Sequence, residues 1–130
     1  MAILAIAAAK LGASHVLGFD LDPDVAENAA DNIKLNNVSP DVIDIQIAEL
    51  DALPNDSYDL IFCNMLSHEF EPLLPALAKR LKAGSGRLLL SGMLLDEEEK
   101  VKGWIARPDV GLRCAETETS GEWLAMVATP

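Results

Sequence analysis

The sequence predicts an α/β protein built on a mostly parallel sheet. Two patterns carry this reading. Short apolar runs ending on a polar residue alternate with segments of helical periodicity, and two β-type runs around a glycine close the chain. Regular alternation implies β–α units with right-handed crossovers, and the closing hairpin adds an antiparallel strand. At 130 residues the chain has the size of one domain, and with half its residues hydrophobic it can bury a core without disulfide staples.

The first element is a helix over 1–11, rich in Ala, Leu and Ile, with Gly12 where a C-terminal glycine belongs. Being apolar all round, it is expected to be buried on most sides. His15 to Asp20 reads as a short buried strand ending in an acid, with Asp20 expected behind Phe19. Asp22-Pro23 then supplies an N-cap and a first-turn proline for a helix over roughly 23–35, striped by Val25, Ala29 and Ile33. Val42 to Ile47 alternates apolar and polar, as a strand with one wetter face does. Leu53 to Asp56 has turn chemistry, and Tyr58 to Asn64 is a continuous apolar run of the kind found in central parallel strands.

A helix over 68–82 follows, with Pro72 near its start and Pro75 tolerable if it begins near Glu71. Gly84-Ser85-Gly86 turns into a buried strand over 87–91, Asp96 to Ile105 forms a charged helix, and strands near 112–118 and 122–128 meet at Gly121. Gly84-Ser85-Gly86 is no phosphate loop, because it lies between a helix and a strand and not the reverse.

Composition excludes several functions. Ten Lys plus Arg against 21 Asp plus Glu give a formal charge of −11, which argues against nucleic-acid binding and suits a basic protein partner. No apolar run has the length of a membrane span, and no basic region precedes the first apolar segment as in a signal peptide. Cys63 and Cys114 are too few and too far apart for a disulfide framework, so a reducing compartment is expected. Neither His15 nor His68 has a metal-ligand partner at useful spacing, and no metal is expected. Cys63 reads as core, Trp104 and Trp123 as packing residues, and Asp96 to Glu99 as a solvated helix start favoured by the macrodipole.

Ligands of doubly wound sheets sit at the carboxyl ends of strands. The positions to inspect are therefore Asp20 and Asp22, Glu49 and Leu50, Asn64 to Leu66, and Ser91 to Met93. An acid at the end of the first strand suits the two hydroxyls of a ribose; plain capping of the next helix is the competing reading, favoured for Asp22 and not for Asp20.

The segments Ile3 to Ala13, Val16 to Pro23 and Glu27-Asn28-Ala29 with Asn32 resemble the class I S-adenosylmethionine-dependent methyltransferases. Tyr58 to Leu66, Arg87 to Leu94 and Gly121 to Val127 narrow the resemblance to the bacterial ribosomal protein L11 methyltransferases, over nearly the whole chain. The resemblance implies a Rossmann-like fold, S-adenosylmethionine as cofactor, and transfer of its methyl group to lysine side chains or the N-terminal amino group of ribosomal protein L11. It implies that Asp20 takes the ribose hydroxyls with Asp22 beside it. Glu49 would receive the adenine amine, Leu50 would pack on the ring, and the Asn64 carbonyl would position the incoming amine nearest the transferred methyl.

The family also has an Asp-x-Gly-x-Gly-x-Gly-like strand and loop just ahead of the first helix, with Met1 here at the place of its last glycine, and a small N-terminal domain that grips the substrate. Residues 1–130 are thus expected to be a partial, N-terminally truncated methyltransferase domain lacking the first strand and glycine loop. The strands of Asp20 and Asn64 then either pair directly, or receive a strand from another chain, or leave the sheet incomplete. The alternative functions are a non-catalytic Rossmann-like remnant that binds no cofactor, and a class I methyltransferase for another substrate. A cytoplasmic location, no membrane or nucleic-acid partner, and self-association through exposed sheet edges complete the expectations.

Overall fold

The computed structural model describes residues 2–130, so the expected match of Met1 to a family glycine lies outside the described residues. The chain divides into two compact units, one running to Leu53 and the other spanning Pro54–Pro130.

The first unit contains α1 (Ile3–Lys10), β1 (Val16–Asp20), α2 (Pro23–Leu35) and β2 (Ile43–Ile47). Gly12 stops α1 at φ +107°, a left-handed value open to glycine at little cost. Asp22 caps α2 through its side chain, with Pro23 in the first turn as the sequence predicts. β1 and β2 run parallel, from Val16 opposite Ile43 to Asp20 opposite Ile47. Ala2, Ile6, Ala29, Ile33 and Ile43 form the core, with Val16, Val42 and Ile45 packed against it. Two expectations fail here. In α1 only Ile6 is buried, while Ile3 and Leu4 are exposed, because a two-stranded sheet offers too little area to cover a helix that is apolar all round. Asp20 does not lie behind Phe19; both are exposed at the end of a strand that pairs on one side only among the described residues.

The second unit holds β3 (Leu60–Asn64), α3 (Ser67–Phe70), α4 (Leu74–Lys79), β4 (Arg87–Leu94), α5 (Glu98–Ile105), β5 (Arg113–Ser120) and β6 (Trp123–Thr129). Its sheet has the order β3-β4-β6-β5. β3 and β4 are parallel, and the antiparallel pairs are confined to the C-terminal hairpin and its junction with β4. Gly121 turns the hairpin at φ +60°. The fold is therefore α/β, with parallel pairing first and antiparallel strands at the C-terminus, as expected.

Several elements differ from expectation. β3 is an edge strand here, not a central one: Leu60 and Phe62 are exposed and only Cys63 is buried. Among the described residues β1 pairs with β2 and β3 with β4. The helix expected over 68–82 is broken into α3, a 3₁₀ turn over Glu71–Leu73, and α4. Pro72 and Pro75 lack the N–H groups that a continuous helix needs, so each begins a new segment. Trp123 is 48% exposed and does not pack as expected, whereas Trp104 meets Phe70 edge-to-face with centroids 6.3 Å apart.

β4 runs three residues beyond the expected end at Ser91, because a β-bulge interrupts it between Leu90 and Met93. Side chains normally alternate along a strand, so positions 90 and 93 should face opposite ways. The extra residue restores the phase: Leu88, Leu90 and Met93 are all fully buried, opposite the buried Ala128, Met126 and Leu124 of β6. Leu90 is at the middle of that row. Leu90→Ala is expected to destabilise the protein by about 2–5 kcal/mol in chemical denaturation, whereas exposed Leu60→Ala should cost about 1 kcal/mol or less.

Candidate functional site

Each unit places part of the predicted site at the carboxyl ends of its parallel strands. In the first unit, Asp20 lies opposite Ile47, and its backbone carbonyl accepts the Ala48 N–H at 3.0 Å. The segments carrying Asp20 and Glu49 therefore leave the sheet side by side. The Asp22 N–H donates to Asp20 Oδ1 at 3.0 Å, and the Asp24 N–H donates to Asp22 Oδ1 at 3.0 Å. Asp22 is thus engaged as the cap of α2. Asp20 Oδ2 and the whole Glu49 carboxylate accept no hydrogen bond among the described residues. Both residues are exposed, while Leu50, at the start of a 3₁₀ turn, is buried.

In the second unit, Asn64 ends β3 directly opposite Ser91. The Ser91 hydroxyl donates to Asn64 Oδ1 at 3.1 Å, and the Met65 N–H donates to the Ser91 carbonyl at 3.1 Å. A carbonyl oxygen has two lone pairs, so Asn64 Oδ1 retains one acceptor position. Beside it, Gly92 adopts φ +93°; a Cβ there would lie 2.5 Å from the Met65 carbonyl oxygen and 3.1 Å from Asn64 Oδ1. The bulge in β4 is therefore what lets the Asn64–Met65 segment approach the sheet. Ser91 and Gly92, expected just after a strand end, lie inside β4, where glycine within a strand pattern signals a bulge.

Glu97 is the residue that the sequence reading missed. It was expected to be solvated, yet its side chain is only 19% exposed. One oxygen accepts the Ser67 hydroxyl and pairs with Lys100 Nζ at 3.1 Å, and the other accepts the Leu94 N–H at 2.8 Å. These donors hold its carboxyl down at about 2, the Ser67 hydroxyl contributing most, then the Leu94 N–H, with burial acting against them. The link to Ser67 joins positions 30 residues apart, which no local pattern announces. Burial pushes the Cys63 thiol up to about 11, so it is a neutral core side chain and not a nucleophile. Among the described residues, no three His, Cys, Asp or Glu side chains gather as metal ligands, and no helix is long and apolar enough to cross a membrane.

The family model of the ribosomal protein L11 methyltransferases matches residues 1–130, the whole chain. The chain belongs to the ribosomal protein L11 methyltransferase family. A relative with that name from Desulforapulum autotrophicum is 40% identical over 126 residues, covering 97% of this chain and 41% of its own length. Another from Pelobacter propionicus is 41% identical over 125 residues, covering 96% of this chain and 39% of its own length. The chain thus spans about 40% of the curated L11 methyltransferases that it matches. Among solved structures, the ribosomal protein L11 methylase of Lactobacillus delbrueckii subsp. bulgaricus superposes with a TM-score of 0.87 at 29% identity, over 98% of this chain and 63% of that one. Magnesium protoporphyrin IX methyltransferase from Synechocystis, solved with bound S-adenosylmethionine, superposes at 0.74 with 20% identity over 96% of this chain and 63% of that one; this likeness concerns the fold alone.

The Glu97 bonds carry a pH signature. A carboxyl near 2 in the folded protein, against an ordinary value of 4.5, stabilises fully above the unfolded value and loses its effect as pH falls toward 2. The stability difference between the parent and Glu97→Gln should stay level from about pH 7 to 5 and shrink below about 4.5. Urea denaturation across that range reads it, and a difference as large at pH 3 as at pH 7 would contradict the assignment.

Proposed function

We propose that residues 1–130 are part of an S-adenosylmethionine-dependent methyltransferase domain that methylates amino groups, lysine side chains or the N-terminal amine, of ribosomal protein L11. Membership in the L11 methyltransferase family supports the reaction class. The observation that carries the reading within this chain is the Asn64 amide, exposed at a strand end with its carbonyl held by Ser91 and an acceptor position to spare.

The residues present fit the cofactor in most respects. Asp20 and Glu49 carry carboxylate oxygens without partners among the described residues, on adjacent segments, as a ribose diol and an exocyclic amine require. Asp22 spends one oxygen on capping α2, so it acts beside Asp20 and not in its place. Leu50 is buried, so its side chain offers little surface to a ring.

When bound, S-adenosylmethionine supplies a methyl group on positively charged sulfur, open to in-line displacement by an amine lone pair. The work left to the chain is alignment. Asn64 Oδ1 accepts an N–H of the neutral amine and so directs the lone pair; an ammonium has no lone pair to direct. Asn64 cannot take a proton at neutral pH, so the proton released from the methylated amine goes to water. A net charge of −11 favours a basic ribosomal protein as partner over nucleic acid or an anionic membrane surface. The cytoplasm is the compartment that this substrate implies. The edge of β3, with Leu60 and Phe62 exposed along it, supports self-association through strand pairing.

Titration calorimetry with S-adenosylmethionine and its demethylated product tests the reading. Micromolar binding is expected, and Asn64→Ala should lower kcat for amine methylation at least about tenfold while cofactor affinity stays within about twofold. Absence of binding both by residues 1–130 and by a longer chain that carries the glycine segment would favour the non-catalytic Rossmann-like remnant. Methylation of a different acceptor in preference to L11 would favour the other-substrate reading.

A further inference from the structure

We propose that Glu97 is a positioning residue: by holding Ser67, its carboxylate fixes the Met65–Ser67 turn and, through it, the side-chain amide of Asn64. The inference rests on the reading of Asn64 as the residue that orients the amine.

Two fastenings hold the turn that follows β3. At its start, Met65 N–H bonds the Ser91 carbonyl, and the Met65 carbonyl oxygen lies 2.5 Å from where a Cβ on Gly92 would stand. At its end, the buried Ser67 donates its hydroxyl to Glu97. Between them, the Leu66 N–H is held by Glu69 Oε2 at 3.1 Å, a bond internal to the same segment that does not tie it to the sheet. Glu97 is itself fixed by the Leu94 N–H at the exit of β4 and by Lys100 one turn into the helix that follows. One carboxylate thus joins the segments leaving two neighbouring parallel strands, just beyond the point where Ser91 meets Asn64.

The chemistry of the link is specific. Ser67 is buried, and its hydroxyl needs an acceptor; charge on that acceptor roughly doubles the strength of the bond. Loss of the link leaves the turn tied to β4 at one end only. Asn64 can then rotate away from Ser91, and its free acceptor position is no longer fixed.

Three variants test the proposal: Ser67→Ala, Glu97→Ala and Glu97→Gln, read by NMR of the Asn64 side-chain amide protons and by kcat and KM. Ser67→Ala and Glu97→Ala are both expected to shift or broaden the Asn64 resonances. Both should lower kcat at least about tenfold with KM for S-adenosylmethionine within about twofold. Glu97→Gln keeps an acceptor for Leu94 and a donor toward Ser67, so it should stay within about threefold of the parent. Unchanged Asn64 resonances in Ser67→Ala overturn the proposal, and so does an effect in Glu97→Ala alone, which assigns Glu97 to capping after Leu94. Should the parent transfer no methyl group, the reading of Asn64 fails, while the resonances still decide whether Glu97 and Ser67 hold that side chain.

Discussion

The second unit depends on the bulge at Ser91 and Gly92. It keeps Met93 on the same buried face as Leu88 and Leu90, and so preserves the match with Leu124, Met126 and Ala128 across β6. The same distortion clears space for the Met65 carbonyl and puts the Ser91 hydroxyl on Asn64. Core packing and site geometry therefore share one constraint. A change that straightened β4 would turn Met93 outward and release Asn64 together. A bulge re-aims side chains without lengthening a loop, and here it sets Ser91 against Asn64.

The first unit is built differently. Its site residues sit on a two-stranded parallel sheet whose ends are tied by the Asp20 carbonyl and the Ala48 N–H. Asp20, Asp22 and Asp24 alternate along the passage from β1 into α2, and the first two each accept the backbone N–H two residues on. Asp22 caps α2, and Asp20 keeps one carboxylate oxygen without a partner among the described residues. Open edges and exposed apolar residues on α1 and β3 are the physical consequence of parallel strands that pair on one side only among the described residues. Such strands normally lie between neighbours.

Much of this was legible in the sequence, for local reasons. Asp22-Pro23 marks a helix start, Gly12 and Gly121 mark turns, and polar residues closing apolar runs mark strand ends. That rule alone puts Asp20, Glu49 and Asn64 at or just past strand ends, where the structure has them. What was not legible depends on contacts between distant residues. An apolar run such as Leu60 to Cys63 reads the same whether its strand has one neighbour or two, so β3 looked central and proved to be an edge. Four consecutive charged positions, Asp96 to Glu99, looked solvated because nothing nearby reveals the Ser67 hydroxyl. Pro72 and Pro75 each look tolerable alone, but together they remove two N–H donors within four residues and break the helix.

Both the bulge and the geometry around Asn64 require glycine at position 92. The most direct measurement compares the denaturation free energies of Gly92→Ala and Gly103→Ala. Gly103 lies within α5 with no atom within 4 Å of an added Cβ, so alanine there should stabilise the protein by about 0.5–1 kcal/mol. At Gly92, φ +93° and the Met65 carbonyl 2.5 Å from the added carbon should together cost about 1–3 kcal/mol. An alanine tolerated equally at both positions would contradict the bulge and, with it, the geometry assigned to Asn64.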